Sequence, residues 1–436
     1  MLTKFKKKYI GNGDFYRRYL LLAIPMILQN AITNLVSFLD NIMVGQLGTE
    51  QMSGVAIVNQ LIFVYNLAIF GAVSAASIFG AQYFGKGNHK GHMYSFRFKL
   101  YATLFVTGGA ILLFLTKGSA LISLYLTDTV GNGATDVALK YGQEYLAIMM
   151  VGLIPFAVNQ SYATNIKETG QTFIPMLASF VAVGTNALLD YLMIFGIGPF
   201  PKMGVAGAAL ATVIARYIEA LIVIIWAHMH RAKNRYLEGA YTGFGIPFAE
   251  LKAILVKGFP LMMNEVMWAA GMTTVTQCYS VRGLDVVAGL NIASTITNLF
   301  NIVYLQLGSC ISIVVGQYLG AGKLEEAKDA DNKMIVFSVF CCVIMAALMF
   351  VVGGFFPGIY NTSDEIKGLA TQFIAVSAII MPFCAFSHAS YFTLRSGGKT
   401  VVTFLFDSVF TWVIVVPAAY LLAHFTGLGI VSIYFL

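Results

Sequence analysis

Three carboxylate side chains, Asp40, Asp190 and Glu265, stand inside long apolar stretches of this sequence. An ionisable group inside a lipid bilayer is costly unless it is solvated or paired, so such groups usually face a cavity and mark a pathway. The chemistry available to a carboxylate in this setting is to bind a proton, a metal cation or an organic cation. We therefore expect these residues to mark where ions or cationic compounds bind.

The composition places these residues in a polytopic membrane protein. Of the 436 residues, 58% are hydrophobic and only 11% are charged. The mean hydropathy of +0.77 lies outside the range of soluble domains. A spanning helix needs about 20 apolar residues, and apolar runs of this kind recur along the chain with short polar breaks. In a bilayer such runs must be helices, because their backbone groups have no water to bond.

We predict an all-α fold of twelve transmembrane helices. The last helix is expected to be incomplete, because the chain stops at Leu436, shortly after that apolar run begins. The predicted spans are 20–44, 54–83, 96–116, 138–163, 174–197, 204–229, 252–281, 286–315, 334–356, 368–394, 400–423 and 427 onward.

The basic residues predict how these helices are oriented. With the N-terminus inside the cell, the inner segments hold 21 of the 27 Lys and Arg residues, as the positive-inside rule expects. The basic cluster Lys4–Lys8 is expected to meet anionic lipid head groups. The net charge of +7 then requires no nucleic-acid partner. We expect a multi-pass protein of the plasma membrane with a cytoplasmic N-terminus.

An internal repeat divides the chain into two halves. Four landmarks recur in the same order at offsets of 227 to 235 residues. The two copies of each landmark are six predicted helices apart, an even number, so the halves share one orientation and form a parallel pseudo-repeat. We predict a six-helix bundle at 1–230, a connecting segment at 231–250 and a second six-helix bundle at 251–436, around a central cavity. The landmark pairs are Pro25 with Pro260, Gln82–Gly87 with Gln317–Gly322, Pro155 with Pro382, and Gly170 with Gly398.

The chain resembles the multidrug and toxic compound extrusion (MATE) family over nearly its whole length. The resemblance rests on the run Asp40–Gly48, on the loop Gly80–Gly85 with its twin near Gln317, and on the stretch Gly204–Thr212. The spacing Asn-x-x-x-Asp that ends at Asp190 is similar to the prokaryotic DinF-type branch. The resemblance implies a transporter that exports organic cations or amphipathic drugs by antiport with H⁺ or Na⁺. It implies no cofactor beyond that coupling ion.

The resemblance also implies that Asp40 and Asp190 bind the coupling ion, supported by Asn186 and Thr212. Asn186 and Asp190 are four residues apart and share one helical face. If the first, fifth and sixth spans are neighbours, the two carboxylates converge with the amide and the hydroxyl. Such oxygen donors suit Na⁺, whereas two close carboxylates without a metal hold a proton. The sequence leaves both open, and it also allows solvated carboxylates near the outer interface.

Further expectations concern three other sites. Glu265 resembles an acidic position of the seventh span in many MATE proteins, where the resemblance implies binding of an ion or a cationic substrate. Pro25 bends the first helix or frees a backbone carbonyl, so a hinge that responds to protonation of Asp40 and a static kink are both open. Arg216 and Glu219 are three apart on one helix, and we expect a mutual ion pair between them.

Other functional classes fit less well. A lipid-linked oligosaccharide flippase of the same superfamily predicts a strongly cationic cavity, whereas the deep charges here are mostly acidic. An integral membrane enzyme needs a nucleophile or metal cluster with catalytic spacing, which the sequence does not contain. We therefore predict a monomeric secondary transporter, not an enzyme, for a small and cationic organic substrate whose identity the sequence does not give.

Overall fold

The computed structural model describes residues 8–126 and 134–435. Every regular element among these residues is helical, which agrees with the predicted all-α class. Lys4, Lys6 and Lys7 of the predicted lipid-binding cluster lie outside the described residues. The helices are α1 (Gly13–Gly45), α2 (Thr49–Lys86), α3 (His89–Ser123), α4 (Ala134–Val151), α5 (Leu153–Glu168), α6 (Phe173–Phe195), α7 (Val205–Met229), α8 (Phe248–Ser280), α9 (Leu284–Gly320), α10 (Leu324–Gly353), α11 (Asp364–Ser396), α12 (Thr400–Phe425) and α13 (Ile430–Phe435).

The helices follow the twelve predicted spans. Among the described residues, nine helices are long and apolar enough to cross a membrane, and α4 with α5 adds a tenth as one bent span. The 33-residue α8 occupies the seventh predicted span, and the 6-residue α13 lies in the twelfth. The chain is therefore a multi-pass membrane protein.

The fourth predicted span is broken at Gly152, where α4 and α5 meet at 44°. Pro155 lacks an amide hydrogen for the carbonyl of Val151 four residues earlier, so the helical hydrogen-bond ladder is interrupted there. Gly152 also lies close to α7: a Cβ atom built on it would be 3.0 Å from Val213 Cγ2 and 3.3 Å from Arg216 Cδ. The break therefore depends on a proline and on a glycine that permits close helix packing.

Two compact units emerge from the packing of the chain. One comprises Leu28–Gly80 and Asn88–Ile254, and the other comprises Met1–Ile27, Ala81–Gly87 and Leu255–Leu436. We call them the first and the second unit. The predicted domain bounds of 1–230 and 251–436 would keep all of α1 and α2 in one domain, and they stay a prediction.

Each unit has its own apolar core. In the first unit the core includes Val58, Ile122 and Leu153, all fully or nearly fully covered. In the second unit one cluster is built around Phe373 and Met381, and another joins the start of α1 to α9 and α10. Because α1 divides between Ile27 and Leu28, its first half packs in one core and its second half in the other.

The repeated glycine loops meet inside the second unit. A Cβ atom on Gly85 would overlap the backbone of Gln317, and one on Gly320 would overlap the backbone of Gln82. These four residues form two pairs related by the 235-residue offset, so the contact is reciprocal. Glycine is required at both positions because the two backbones touch there.

Candidate functional site

The carboxylates of Asp40 on α1 and Asp190 on α6 meet in the first unit, within hydrogen-bonding reach of each other. Asp190 is 1% exposed. Both of its carboxylate oxygens and Oδ1 of Asp40 are covered, and the side chains of Asp40 and Asn186 are within hydrogen-bonding reach of Asp190. Two carboxyl groups in contact cannot both be ionised in such surroundings without a cation between them. The arrangement is therefore suited to hold a proton or a small cation.

A polar pair on α6 and α7 adjoins the carboxylates. Asn186, which is 5% exposed, is within hydrogen-bonding reach of Asp190 one helical turn away, and its Nδ2 donates to Thr212 Oγ1 at 3.3 Å. The Thr212 hydroxyl in turn donates to the backbone oxygen of Ala208 at 3.0 Å. The structure thus brings together the four residues named from the sequence. It does not place Thr212 directly on a carboxylate.

A short connection between α6 and α7 holds these helices in register. α6 ends at Phe195 and is capped by Gly196, whose φ of 71° is the left-handed conformation that favours glycine at a helix end. Gly204 precedes α7 with a φ of 55°. A Cβ atom on Gly207 would lie 2.8 Å from the carbonyl carbon and oxygen of Met193, so the two helices approach to backbone contact. This close packing fixes Thr212 opposite Asn186.

Tyr145 on α4 is a site residue that the sequence did not reveal. Its ring is 5% exposed, and the charges of Asp40, Asp190 and Arg216 all act on its hydroxyl. The hydroxyl donates to Asn59 Oδ1 at 3.3 Å. A tyrosine in an apolar run carries no sequence signal for such a role, because only the fold shows which helix it faces.

The predicted ion pair between Arg216 and Glu219 is wrong. Among the described residues no carboxylate lies within 4.0 Å of the Arg216 guanidinium. Arg216 Nη1 instead points to the backbone oxygen of Gly152 at 3.4 Å, and the guanidinium lies 5.1 Å from the ring centroid of Phe156. Glu219 accepts a hydrogen bond from Ser179. Residues three apart share a face, but each side chain here finds a better partner on another helix.

Glu265 lies on α8 in the second unit, beside Asn264. It is partly buried, and the charges of Arg395 and Asp407 act on it. Asn264 Nδ2 donates to Asp407 Oδ2 at 2.7 Å, and Ser408 Oγ donates to Asn264 Oδ1 at 2.7 Å. Asp407 and Ser408 belong to a π-helical turn of α12, Leu405–Val409, a distortion often found at functional sites. The second unit thus carries its own acidic and amide groups.

Pro25 lies within α1, which stays helical on both sides of it. The division between the two compact units falls just after this proline, between Ile27 and Leu28. Met26 packs in the second unit, where the Cys310 thiol donates to its sulfur at 3.5 Å. Gln29, on the other side, bonds to Ser179 of the first unit. The hinge at Pro25 stays a prediction.

The described residues contain no cluster of the side chains that usually bind a metal ion. No group of three or more His, Cys, Asp or Glu side chains that could hold a metal ion occurs among the described residues. A sodium site at Asp40 and Asp190 would therefore depend on carboxylate, amide and hydroxyl oxygens, which are ligands that hard cations accept.

Comparison with known proteins shows the family. The family model MatE matches residues 25–192 and 260–421, so its two copies begin at Pro25 and Pro260, at the offset of the predicted repeat. The chain belongs to the MatE family. The MATE resemblance seen in the sequence is therefore confirmed, and the enzyme alternative is set aside.

Individual MatE relatives and solved structures agree with this assignment. A protein of Thermotoga maritima described as probable multidrug resistance protein NorM is 23% identical over 411 residues, which cover 94% of this chain and 86% of the relative. A MOP superfamily transporter from Pyrococcus furiosus aligns with a TM-score of 0.85 at 20% identity, over 97% of this chain and 91% of that one. An outward-facing MATE transporter aligns with a TM-score of 0.84 at 20% identity, over 96% and 90%. The predicted fold class is confirmed.

Proposed function

We propose that this protein is a secondary multidrug exporter in which inward flow of a coupling ion drives efflux of organic cations or amphipathic drugs. The names of its relatives as multidrug resistance proteins support the substrate class. The observation that carries the coupling is the contact of Asp40 with Asp190 between two apolar helices. Two acids in one covered site form a binding place for a single positive charge.

The contact favours H⁺ over Na⁺ as the coupling ion. Carboxyl groups within hydrogen-bonding reach of each other are stable in a poorly solvated site when they share a proton. In this arrangement the Asn186 amide nitrogen donates to the Thr212 hydroxyl, and that hydroxyl donates to the backbone oxygen of Ala208. Sodium coupling would require these side chains and both carboxylates to turn their oxygens toward one ion. Sodium coupling is the alternative that the gradient experiment tests.

Charge competition would couple the two fluxes. The ionised pair attracts a cationic substrate, and protonation of Asp40 and Asp190 removes that attraction. A proton and a substrate that weaken each other's binding do so by the same factor, because coupling between sites is reciprocal. In the second unit, Glu265 would bind the organic cation by charge, next to the polarizable side chains of Met262 and Met263.

The remaining features of the proposal concern placement. We place the protein in the plasma membrane of a bacterial or archaeal cell as a monomer with a cytoplasmic N-terminus, as the distribution of Lys and Arg predicts. The two repeated halves would alternate access to the sites by rocking. The membrane lipid and a small organic substrate are the partners we propose.

Reconstitution into liposomes tests this function. Efflux of a fluorescent cation is followed under an imposed H⁺ gradient and, separately, under an imposed Na⁺ gradient. The variants are Asp40→Asn, Asp190→Asn and Glu265→Gln, with Glu238→Gln as a matched control. Glu238 lies between α7 and α8 in an exposed ion pair with Arg235, where a lost charge matters little.

We expect the H⁺ gradient to drive efflux in the wild type and in Glu238→Gln, and both aspartate variants to lose that drive. If neither gradient drives transport, antiport is wrong. Normal driven transport by Asp40→Asn would refute the coupling site while leaving the exporter class intact. Translocation of a lipid-linked pyrophosphate without cation efflux would favour the flippase alternative.

A further inference from the structure

Glu219 on α7 is an intramembrane carboxylate that the proposed coupling site does not use. It is largely buried, it accepts a hydrogen bond from Ser179 of α6, and the Asn159 side chain of α5 also hydrogen bonds to it. The charged groups that act on it are Lys167 on α5 and Arg216 on its own helix. An ionisable residue held this way inside apolar helices is a candidate functional site.

Ser179 links Glu219 to the proline-containing helix. Gln29 Nε2 on α1 donates to Ser179 Oγ at 2.7 Å, and the Ser179 hydroxyl donates onward to Glu219. Gln29 follows Pro25 by four residues, which is one helical turn. Two hydrogen bonds thus connect Glu219 to a residue one turn from the proline.

The second half of the repeat contains a related contact, in which the amide donates directly to a carboxylate. Asn264 is 235 residues after Gln29, and Asp407 is 228 residues after Ser179, the two offsets of the repeat landmarks. Asn264 Nδ2 donates to Asp407 Oδ2 at 2.7 Å, as Gln29 donates to Ser179. In both halves an amide side chain one turn after the repeated proline donates a hydrogen bond to the fifth span of its bundle, which is α6 in the first half and α12 in the second. The last acceptor is a carboxylate in each case, Glu219 in the first half and Asp407 in the second. Chance is a poor explanation for a contact that survives duplication while the residue types change.

Glu219 and the outer acid pair lie at different depths in the first unit. Gln29 precedes Asp40 by 11 residues on α1, and Ser179 precedes Asp190 by 11 residues on α6. At 1.5 Å per residue this places the Gln29–Ser179 link about 16 Å deeper along both helices. Charges link the two levels: those of the outer pair and of Arg216 act on the Tyr145 hydroxyl, and that of Arg216 also acts on Glu219.

We propose that Glu219 is an inner proton-binding station, which receives the coupling proton from Asp40 and Asp190 and passes it to the cytoplasmic side. The inference rests on the proposed function. In this step one O–H bond of the outer pair breaks, one O–H bond forms on Glu219, and the proton then leaves to water, so no other reactant is needed.

The protein in proteoliposomes tests the proposal with Glu219→Gln. Glutamine has the shape of glutamate and its carbonyl oxygen still accepts from Ser179, so a purely structural role is preserved. Two measurements are compared: cation transport driven by an H⁺ gradient, and substrate counterflow, which needs no net proton movement. Glu238→Gln is the matched control, and Asp40→Asn reports separately on the outer pair.

We expect Glu219→Gln to lose at least about tenfold in driven transport, on the scale of a lost proton-transfer group, while counterflow stays within about twofold of the wild type. Driven transport by Glu219→Gln at the wild-type rate and with the wild-type pH profile would overturn the proposal. So would equal loss of counterflow, which would make Glu219 a substrate-binding or structural residue. Wild-type transport driven by Na⁺ alone would overturn this inference but leave the exporter in place. Normal transport by Asp40→Asn would instead overturn the proposed coupling site.

Discussion

Removing the amino group of Lys99 should destabilise the first unit more than any surface charge change. Lys99 is 0% exposed, and its Nζ lies 2.5 Å from Glu168 Oε1. It also donates to Asn165, while His92 Nε2 lies 3.3 Å from Glu168 Oε2. A Cβ atom on Gly80 would meet the same carboxylate. The ion pair therefore joins α2, α3 and α5 with almost no contact with solvent.

The structure sets the magnitude of this effect. Lys99→Met keeps the length of the side chain but leaves Glu168, which is 2% exposed, without its main counter-charge. Breaking one partner out of a buried pair costs about 3–5 kcal/mol, because a charge stays behind without compensation. The exposed pair Lys328–Glu325, whose side chains are 69% and 88% exposed, provides the control, and Lys328→Met should cost about 0–1 kcal/mol.

The assay is denaturant unfolding of the purified protein in detergent, followed by tryptophan fluorescence. We expect Lys99→Met to unfold at clearly lower denaturant concentration than the wild type, and Lys328→Met to match the wild type. The double variant Lys99→Met with Glu168→Gln should recover part of the loss, because it removes the stranded charge. If Lys99→Met and Lys328→Met unfold at the same denaturant concentration, the buried charge pair does not stabilise the packing of these helices and the reasoning is refuted.

Two further predictions concern backbone geometry. Gly85→Ala and Gly320→Ala should each reduce the yield of folded protein sharply, because a methyl group at either position overlaps the backbone of the other loop. The control is Gly108→Ala, where a Cβ atom meets nothing within 4 Å and which should fold like the wild type. Size-exclusion profiles distinguish these outcomes. If α1 bends at Pro25 during transport, Pro25→Ala should slow H⁺-driven efflux and alter its pH dependence while substrate binding persists; unchanged efflux with an unchanged pH dependence would leave Pro25 as a static kink.

The helices could be predicted from the sequence because an apolar run of this length in a bilayer must satisfy its backbone hydrogen bonds within itself, as a helix does. Their distortions could not. Pro155 and Pro382 are aligned landmarks, yet the first lies just after the break between α4 and α5 and the second lies inside the unbroken α11. The difference follows from the residue three positions earlier: Gly152 packs against α7, whereas its counterpart is Ile379. A proline interrupts the hydrogen-bond ladder in both halves, and the local packing decides whether the helix then breaks.

The candidate site shows a similar limit. Spacing placed Asn186 and Asp190 on one face, and the family resemblance added Asp40 and Thr212, but helix neighbours are a property of the fold. Tyr145 was missed for that reason, since nothing in its own helix identifies it. The Arg216–Glu219 pair failed because spacing on one helix does not account for competing partners on the next.

Proton release on substrate binding tests the central claim most directly. Purified protein in weakly buffered detergent solution is mixed with a saturating organic cation, and a pH dye reports the protons released per molecule. The account predicts about one proton for the wild type, since the two carboxyls share one. Asp190→Asn should release none while still binding substrate. Undiminished proton release by Asp190→Asn, or wild-type binding that displaces Na⁺ and no proton, would contradict it.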